Sequence, residues 1–326
     1  MKCARCDAPP VIELRARRMA LCGGCFAAHC RDQVRKAVDR HQMIRPGERV
    51  LVAVSGGKDS LAAWDLLTEL GHHADGMYLG LGIGGYSDRS AEAARAFAAG
   101  RGLHLIEVDL AADVGFSIPQ AAGTRRVPCS ACGLSKRHML NKIAVERGYQ
   151  VLATGHNLDD EAAVLFGNVL TWDLPYLARQ QPVLPQAPGF ARRVKPLTGL
   201  TERETAAYCV VRRIGYVVEE CPMAAGNRHL AYKELLNTLE ERSPGTKAAF
   251  LSGFTQRLAP LLADVAAGER AAVHPCARCG SPTIAEVCAF CRLADQVGRP
   301  GRRHGRRRRH RQRRVQPAAV SSPSAG

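Results

Sequence analysis

The chain has 326 residues, 46% of them hydrophobic, enough to bury a sizeable core as one large domain with appendages or as two domains. No apolar run approaches the roughly 18 residues of a membrane-spanning helix and no charged-then-apolar leader opens the chain, which argues against a membrane or secreted protein and for a cytoplasmic one. The formal charge of +16 is uneven: residues 299–314 hold ten arginines and no acid, and the +6 left on the body points to a polyanionic partner such as nucleic acid.

Thirteen cysteines in a reducing compartment point to metal or sulfur chemistry rather than disulfides. Ten fall in five Cys-x-x-Cys pairs, leaving Cys30, Cys209 and Cys221. Cys3-x-x-Cys6, fifteen residues, then Cys22-x-x-Cys25 is the spacing of a zinc knuckle, in which two turns present four thiolates to one tetrahedral ion. A helix pattern over 26–43 follows, and His29 and Cys30 within it read as ordinary residues.

The unbroken apolar run Val50 to Val54 leads into Ser55-Gly56-Gly57-Lys58-Asp59-Ser60 and then a helix pattern over 61–70. A strand, a glycine turn and a helix start make an anion cradle, because backbone amides and the helix N-terminus converge on one spot while Lys58 and Ser60 add donors. The spacing is not that of a Walker A loop. It resembles instead the PP-loop of the N-type ATP pyrophosphatases. Further short strands at 75–81, 103–108 and 151–154 alternate with amphipathic helices, which predicts a Rossmann-like α/β fold with a parallel sheet. Ligands then bind at the carboxyl ends of the strands, where the phosphate loop, the glycine-rich 80–85 and Thr154-Gly155-His156 all fall. The stretch 80–85 reads equally as a flexible loop or as a substrate lip.

Cys129-x-x-Cys132-Gly-x-x-Lys136-Arg137, ahead of a helix pattern over 140–147, has no second pair nearby. A cluster there must recruit Cys209, which reads as core, or Cys221, which sits before Pro222 in a loop. Three thiolates on iron–sulfur leave one iron open to other ligands; a redox dithiol is the competing reading. Asn157-Leu158-Asp159-Asp160-Glu161 puts three acids in a first helical turn, where they stabilise the dipole or, beside a polyphosphate, bind Mg²⁺ or handle protons. Lys136 is the candidate for stabilising charge on a transferring phosphoryl group.

Beyond residue 167 the pattern turns mostly helical, over 201–214, 229–241 and 247–267, after a basic strand-like edge at 192–197. Arg192, Arg193, Lys195, Arg212 and Arg213 read either as a phosphate-backbone track or as a solvated face. Cys276-x-x-Cys279, eight residues, Cys288-x-x-Cys291 repeats the zinc arithmetic. The organisation expected is a zinc finger at 1–30, a catalytic domain at 31–200, a helical extension at 201–270, a second zinc finger at 271–294 and a disordered arginine-rich tail at 295–326 that adds non-specific affinity for RNA.

SGGKDS, the cysteine segment at 129–137, TGHNLDDEA at 154–162, Glu219-Glu220-Cys221-Pro222, SPGTK at 243–247 and the two flanking Cys₄ sets together resemble the TtuA family of tRNA 2-thiouridine synthetases. The resemblance implies ATP on Ser55–Ser60 with Ala53, Tyr78 and Gly155 near the adenosine, and attack of a uridine O2 on the α-phosphate, with T-loop position 54 as the target. It implies Cys129, Cys132 and Cys221 as ligands of a 4Fe-4S cluster holding the sulfide that displaces AMP, with Lys136 on the phosphate and Asp160 on Mg²⁺ or protons. It further implies two Zn²⁺, a tRNA substrate, a small ubiquitin-like sulfur carrier with a C-terminal thiocarboxylate, and a homodimer. A TtcA-like cytidine thiolase also pairs a PP-loop with cysteine pairs, and a non-catalytic zinc-ribbon RNA-binding protein is the alternative from another class; the terminal knuckles weigh against the first, SGGKDS with Lys136 and Asp160 against the second.

Overall fold

The computed structural model describes residues 2–124, 126–224, 228–262 and 273–298. A hairpin of β1 (Ile12–Leu14) and β2 (Met19–Leu21) lies between the halves of the N-terminal cysteine set and leads into α1 (Gly23–Arg40). The chain continues through β3 (Val50–Val54), α2 (Lys58–Glu69), β4 (Ala74–Gly80), α3 (Gly84–Arg101), β5 (Leu105–Asp109), α4 (Leu110–Val114), α5 (Ile118–Ala122) and α6 (Pro128–Glu146). Then come β6 (Val151–Thr154), α7 (Leu158–Thr171), α8 (Leu174–Ala178), β7 (Val183–Leu184), β8 (Arg192–Val194) and α9 (Glu202–Val211). The last described elements are α10 (Arg228–Arg242), α11 (Thr246–Gly253), β9 (His274–Pro275), β10 (Pro282–Thr283) and α12 (Ala289–Gly298).

One six-stranded sheet has the order β5-β4-β3-β6-β8-β7, parallel except for β7, which pairs antiparallel with β8 at the edge. This is the parallel α/β sheet expected, closed by one reversed strand. From β3 the chain steps outward through β4 to β5, then returns to place β6 on the other side of β3. The order therefore reverses between β3 and β6, and the crevice for a ligand opens at their carboxyl ends.

Strand alternation builds a core on each face of the sheet. Val50, Val52 and Val54 join Phe26 and Val34 of α1, Trp64 and Leu67 of α2, and Tyr208 of α9. Leu51, Met77, Ile106 and Leu152 face Leu140 of α6, Ile118 of α5, and Phe290 and Leu293 of α12. Each cysteine set is fastened to one of these cores, the first through Leu14 and Leu21, the second through Cys276, Phe290 and Leu293. Both Cys30 and Cys209 are fully buried core residues.

Several expectations are corrected by the fold. The pattern over 140–147 is only the second half of α6, which begins at Pro128; a proline in the first turn lacks an N–H that would have no partner there anyway. Cys129 and Cys132 are therefore helical and share a face. The basic segment at 192–197 is not the sheet edge, because β7 covers β8, and Pro196 ends the strand in a 3₁₀ turn. The helix expected over 247–267 is α11 followed by a π turn at Phe254–Leu258 and a 3₁₀ turn at Ala259–Leu262, with 263–267 outside the described residues. Residues 295–298 belong to α12 rather than to a tail, and the arginine block lies outside the described residues.

Candidate active site

The phosphate loop stands between the end of β3 and the first turn of α2. Gly56 takes φ +75°, and a Cβ there would lie 2.4 Å from the Ser90 carbonyl oxygen, so both its backbone and its surroundings require glycine. The loop holds its own shape. Ser60 Oγ accepts from the Ser55 amide at 3.0 Å and donates to the Gly57 carbonyl at 2.9 Å. Gly155, after β6, packs its backbone on α2, where a Cβ would come within 2.7 Å of the Ser60 amide nitrogen. Ala53 is half-buried beside Thr154 in the adjoining strand, whereas Tyr78 is paired with Val54 and Glu107 in the strands on either side and its hydroxyl is already donated to the Ser87 carbonyl at 2.7 Å.

Charged side chains from three helices lock this loop. Lys58 Nζ reaches Glu202 Oε1 at 2.7 Å and Asp59 Oδ2 at 3.2 Å. Asp59 Oδ1 accepts from Asn157 Nδ2 at 3.0 Å and from the Thr205 hydroxyl. Lys233 Nζ bridges Asp160 Oδ1 at 2.6 Å and Glu202 Oε2 at 3.0 Å. Burial alone would raise the Glu202 carboxyl, but the Lys58 and Lys233 ammoniums outweigh it and bring its pKa down to about 2. For Lys58, burial works against the charge and Asp59 and Glu202 win, so its pKa lies above the ordinary lysine range. Asp160 also closes a capping box with Asn157, each side chain accepting from the other's backbone amide at 3.1 and 3.0 Å, which fixes the start of α7. Beneath lies a buried ion pair, Lys247 with Asp159, whose other oxygen takes the Glu202 amide at 2.9 Å. A cavity of about 830 Å³ opens behind this network, between the β1–β2 hairpin and α10–α11, and no residue of Ser55–Ser60 lines it.

On the other side of the crevice α6 presents Cys129, exposed, and Cys132, half-buried. Cys129 Sγ donates to the Met223 carbonyl at 3.5 Å, which draws the loop carrying Cys221 onto the helix. Burial pushes the Cys132 thiol up, the Lys136 ammonium pulls it back, and the neighbouring Cys221 and Cys129 sulfurs push it up again. Tyr86 packs here too, its hydroxyl raised by burial and then by Cys221. Lys136 is half-buried one turn after Cys132 and makes no ion pair among the described residues.

The remaining cysteines form two tight sets, Cys3, Cys6, Cys22 and Cys25, and Cys276, Cys279, Cys288 and Cys291, with the sulfurs of each within 4.8 Å of one another. Zinc–sulfur bonds of about 2.3 Å in a tetrahedron place sulfurs about 3.8 Å apart. The separations of 3.5 Å for Cys6–Cys22, 3.7 Å for Cys6–Cys25 and 3.7 Å for Cys279–Cys288 match that spacing. Backbone amides support the thiolates, as in Cys288 N–H to Cys276 Sγ at 3.2 Å and Arg278 N–H to the same sulfur at 3.5 Å. Cys129, Cys132 and Cys221 do not form such a set: their sulfurs do not all lie within 4.8 Å of one another.

Over 92% of its length the chain is 52% identical to the tRNA-5-methyluridine(54) 2-sulfurtransferase of Thermus thermophilus, and covers 92% of that protein. The chain belongs to the tRNA 2-sulfurtransferase family. The sulfurtransferase of the same name from Pyrococcus horikoshii is 40% identical over 90% of this chain and 93% of its own length. Among solved structures, the U34-tRNA thiolase NcsA from Methanococcus maripaludis, described with its [4Fe-4S] cluster, superposes with a TM-score of 0.77 at 27% identity, covering 90% of this chain and 96% of that one. No family model matches the chain.

The fold of this tRNA 2-sulfurtransferase brings to the phosphate loop residues that spacing did not mark. Glu202 and Thr205 lie 144 and 146 positions beyond the phosphate-loop residues they hold, Lys233 lies 31 beyond Glu202, and nothing local distinguishes them from the solvated face of an amphipathic helix. Lys247 was visible within SPGTK, but its burial against Asp159 was not. Of the five cations read as a candidate phosphate track, Arg192 is buried on Glu48 at 2.6 Å, Lys195 holds Glu161 at 2.6 Å, and Arg212 holds Asp65 at 3.0 Å and Glu69 at 2.7 Å. Among the described residues, no helix is long and apolar enough to cross a membrane.

Proposed function

We propose that the protein is a cytoplasmic, ATP-dependent thiolase that replaces O2 of a tRNA uridine with sulfur, with the T-loop 5-methyluridine at position 54 as its target. The observation that carries this reading is the meeting, across one crevice, of the phosphate loop with an unpaired Lys136 and three cysteines. The loop amides and Lys58 hold the polyphosphate, and Lys136, with no carboxylate to neutralise it, stabilises charge gathering on the α-phosphate. The uridine O2 forms a bond to that phosphorus while the bond to pyrophosphate breaks. Carbon 2 of the adenylated base is then electrophilic, and a sulfur nucleophile bonds to it as AMP leaves. Asp160, positioned by Lys233 and Asn157, orders the mouth of α7 and is the proton-handling candidate.

Cys129, Cys132 and Cys221 would hold a [4Fe-4S] cluster, which supplies an iron without a protein thiolate where sulfur can be presented. The two tetrahedral cysteine sets suit Zn²⁺. A magnesium ion with the nucleotide would meet Asp59, Asp160 and Glu202, each already paired with a lysine, so no step rests on it. Resemblance to the family supports a small ubiquitin-like thiocarboxylated protein as sulfur donor, and a homodimer.

Mass spectrometry of nucleosides from the tRNA of a strain lacking this chain tests the reading. One 2-thiolated uridine should vanish and return with the wild-type gene but not with Cys221→Ala or Lys136→Ala. Purified Cys221→Ala should lose cluster iron and keep ATP binding, and Lys136→Ala should keep the iron and lose base adenylation. An unchanged set of thionucleosides would overturn the proposal.

A further inference from the structure

Among the described residues, two guanidiniums beside the crevice have no carboxylate partner. Arg137 follows Lys136 on α6, and Arg193 is the middle residue of β8, level with Leu152 of β6. Arg193 alternates with Arg192 and Val194, so it points to the α6 face of the sheet while Arg192 turns to Glu48 on the opposite one. α6 is strapped to the approach to β8 by Asn141, which donates to the Gly189 carbonyl at 2.9 Å and accepts from the Ala191 amide at 3.2 Å. Residues four apart share a helix face, so Arg137 looks the same way as Asn141, toward the segment that delivers Arg193. Arg137 also lies back along the helix toward the cysteines: a Cβ on Gly133 would come within 2.9 Å of its Nη1.

Among the described residues neither guanidinium has a carboxylate within ion-pair distance, although Arg192 and Lys195 on either side of Arg193 are both paired. Burial, and then Arg137 itself, press Arg193 below the ordinary arginine range, and Arg193 in turn acts with Lys195 against the charged form of His156, which follows β6 at the mouth of the crevice. The acids felt by His156 are Glu161, which Lys195 already holds, and Asp160, which Lys233 holds. Two like charges brought together by a strand and a helix, with no ion-pair partner among the described residues, are a site for an external anion.

We propose that Arg137 and Arg193 form a phosphate clamp for the RNA strand, gripping backbone phosphates beside the nucleoside that enters the crevice. The inference rests on the thiolation reading and names how the tRNA is held. Phosphodiester oxygens match the planar forks of two arginines, and the phosphate loop already takes the nucleotide on the other side of Lys136.

The test is the salt dependence of tRNA binding by the full-length protein, wild type against Arg137→Gln/Arg193→Gln. Losing two phosphate contacts should weaken binding about tenfold at moderate salt and reduce the slope of log Kd against log[KCl] by roughly 1.4 to 1.8, with ATP affinity and iron content unchanged. The arginine block beyond residue 298 contributes equally to both proteins. Arg137→Lys/Arg193→Lys should keep most of the slope, which separates lost charge from lost structure. An unchanged slope in the glutamine variant, or a fall in ATP affinity matching the fall in tRNA affinity, would overturn the clamp. A wild-type protein that binds no tRNA would overturn the thiolation reading and the clamp with it.

Discussion

Lys58 of the phosphate loop and Glu202 at the start of α9, 144 residues apart in sequence, are joined at 2.7 Å, Nζ to Oε1. The carboxylate thus stands where the loop lysine would otherwise meet a phosphate. It also serves Lys233 through its other oxygen, so α2, α9 and α10 are tied by one acid. A polyphosphate entering the loop competes with Glu202 for Lys58.

Glu202→Gln is therefore expected to bind metal-free ATP more tightly, by about fivefold or about 1 kcal/mol, the size of one removed charge contact in a partly screened site. Isothermal titration in the presence of a chelator measures this. Weaker binding would mean that Glu202 supports the loop rather than competes with the ligand.

Lys247 and Asp159, both buried, should form the costliest pair to break. Lys247→Met leaves Asp159 with the Glu202 amide and no cation, and should destabilise the protein by about 3–5 kcal/mol in urea unfolding. Adding Asp159→Asn should recover much of that loss, because the uncompensated charge is then gone.

Glu48 sets an acid limit. Burial raises its carboxyl, but the Arg192 hydrogen bond and the Arg45 amide outweigh this and hold it below the usual carboxylate range. A carboxyl depressed on folding contributes stability that is complete above its unfolded pKa near 4.5 and is lost as the pH falls below that value. Glu48→Gln should cost about 3 kcal/mol at pH 7, since it leaves the buried Arg192 guanidinium without its carboxylate, and its stability should fall less steeply below pH 4.5 than that of the wild type. Denaturation midpoints from pH 7 to pH 3 check both statements.

The C-terminal cysteine set should act as a clasp on the cysteine-bearing helix. Phe290, between Cys288 and Cys291, stacks on His138 of α6 at 3.9 Å between ring centroids and meets Phe116 at 5.8 Å. Phe290→Ala should cost about 3–5 kcal/mol while leaving the proposed complement of two zinc ions per chain unchanged by metal analysis. Cys288→Ser should lower the zinc count to one and loosen α6, read as faster amide exchange over 129–146.

Much of this molecule is written in short stretches of its sequence. An apolar run of five and a double glycine specify β3 and its anion loop because strand, turn and helix start are decided by neighbours in the chain. The cysteine spacings specify two tetrahedral sets for the same reason, and Asn157 with Asp160 caps α7 within three residues. Local pattern failed at α6, where Pro128 starts a helix that the glycine and small polar residues at 130–135 disguise. It failed again among the basic residues, since composition cannot tell Arg192, buried on Glu48, from Arg193 beside it.

What only the tertiary structure decided is the pairing of charges across distance. Whether a lysine is a solvated surface group, half of a buried ion pair or an unpaired cation depends on which helix packs opposite, and that is fixed by the order of strands in the sheet. Reversal of that order between β3 and β6 brings Glu202 and Lys233 to the phosphate loop and, among the described residues, leaves Lys136, Arg137 and Arg193 without an ion-pair partner. The sequence alone determined which chemical groups this protein owns, because motifs are local; the fold decided which charges are neutralised and which remain free to meet a substrate, because Coulomb interactions act through space.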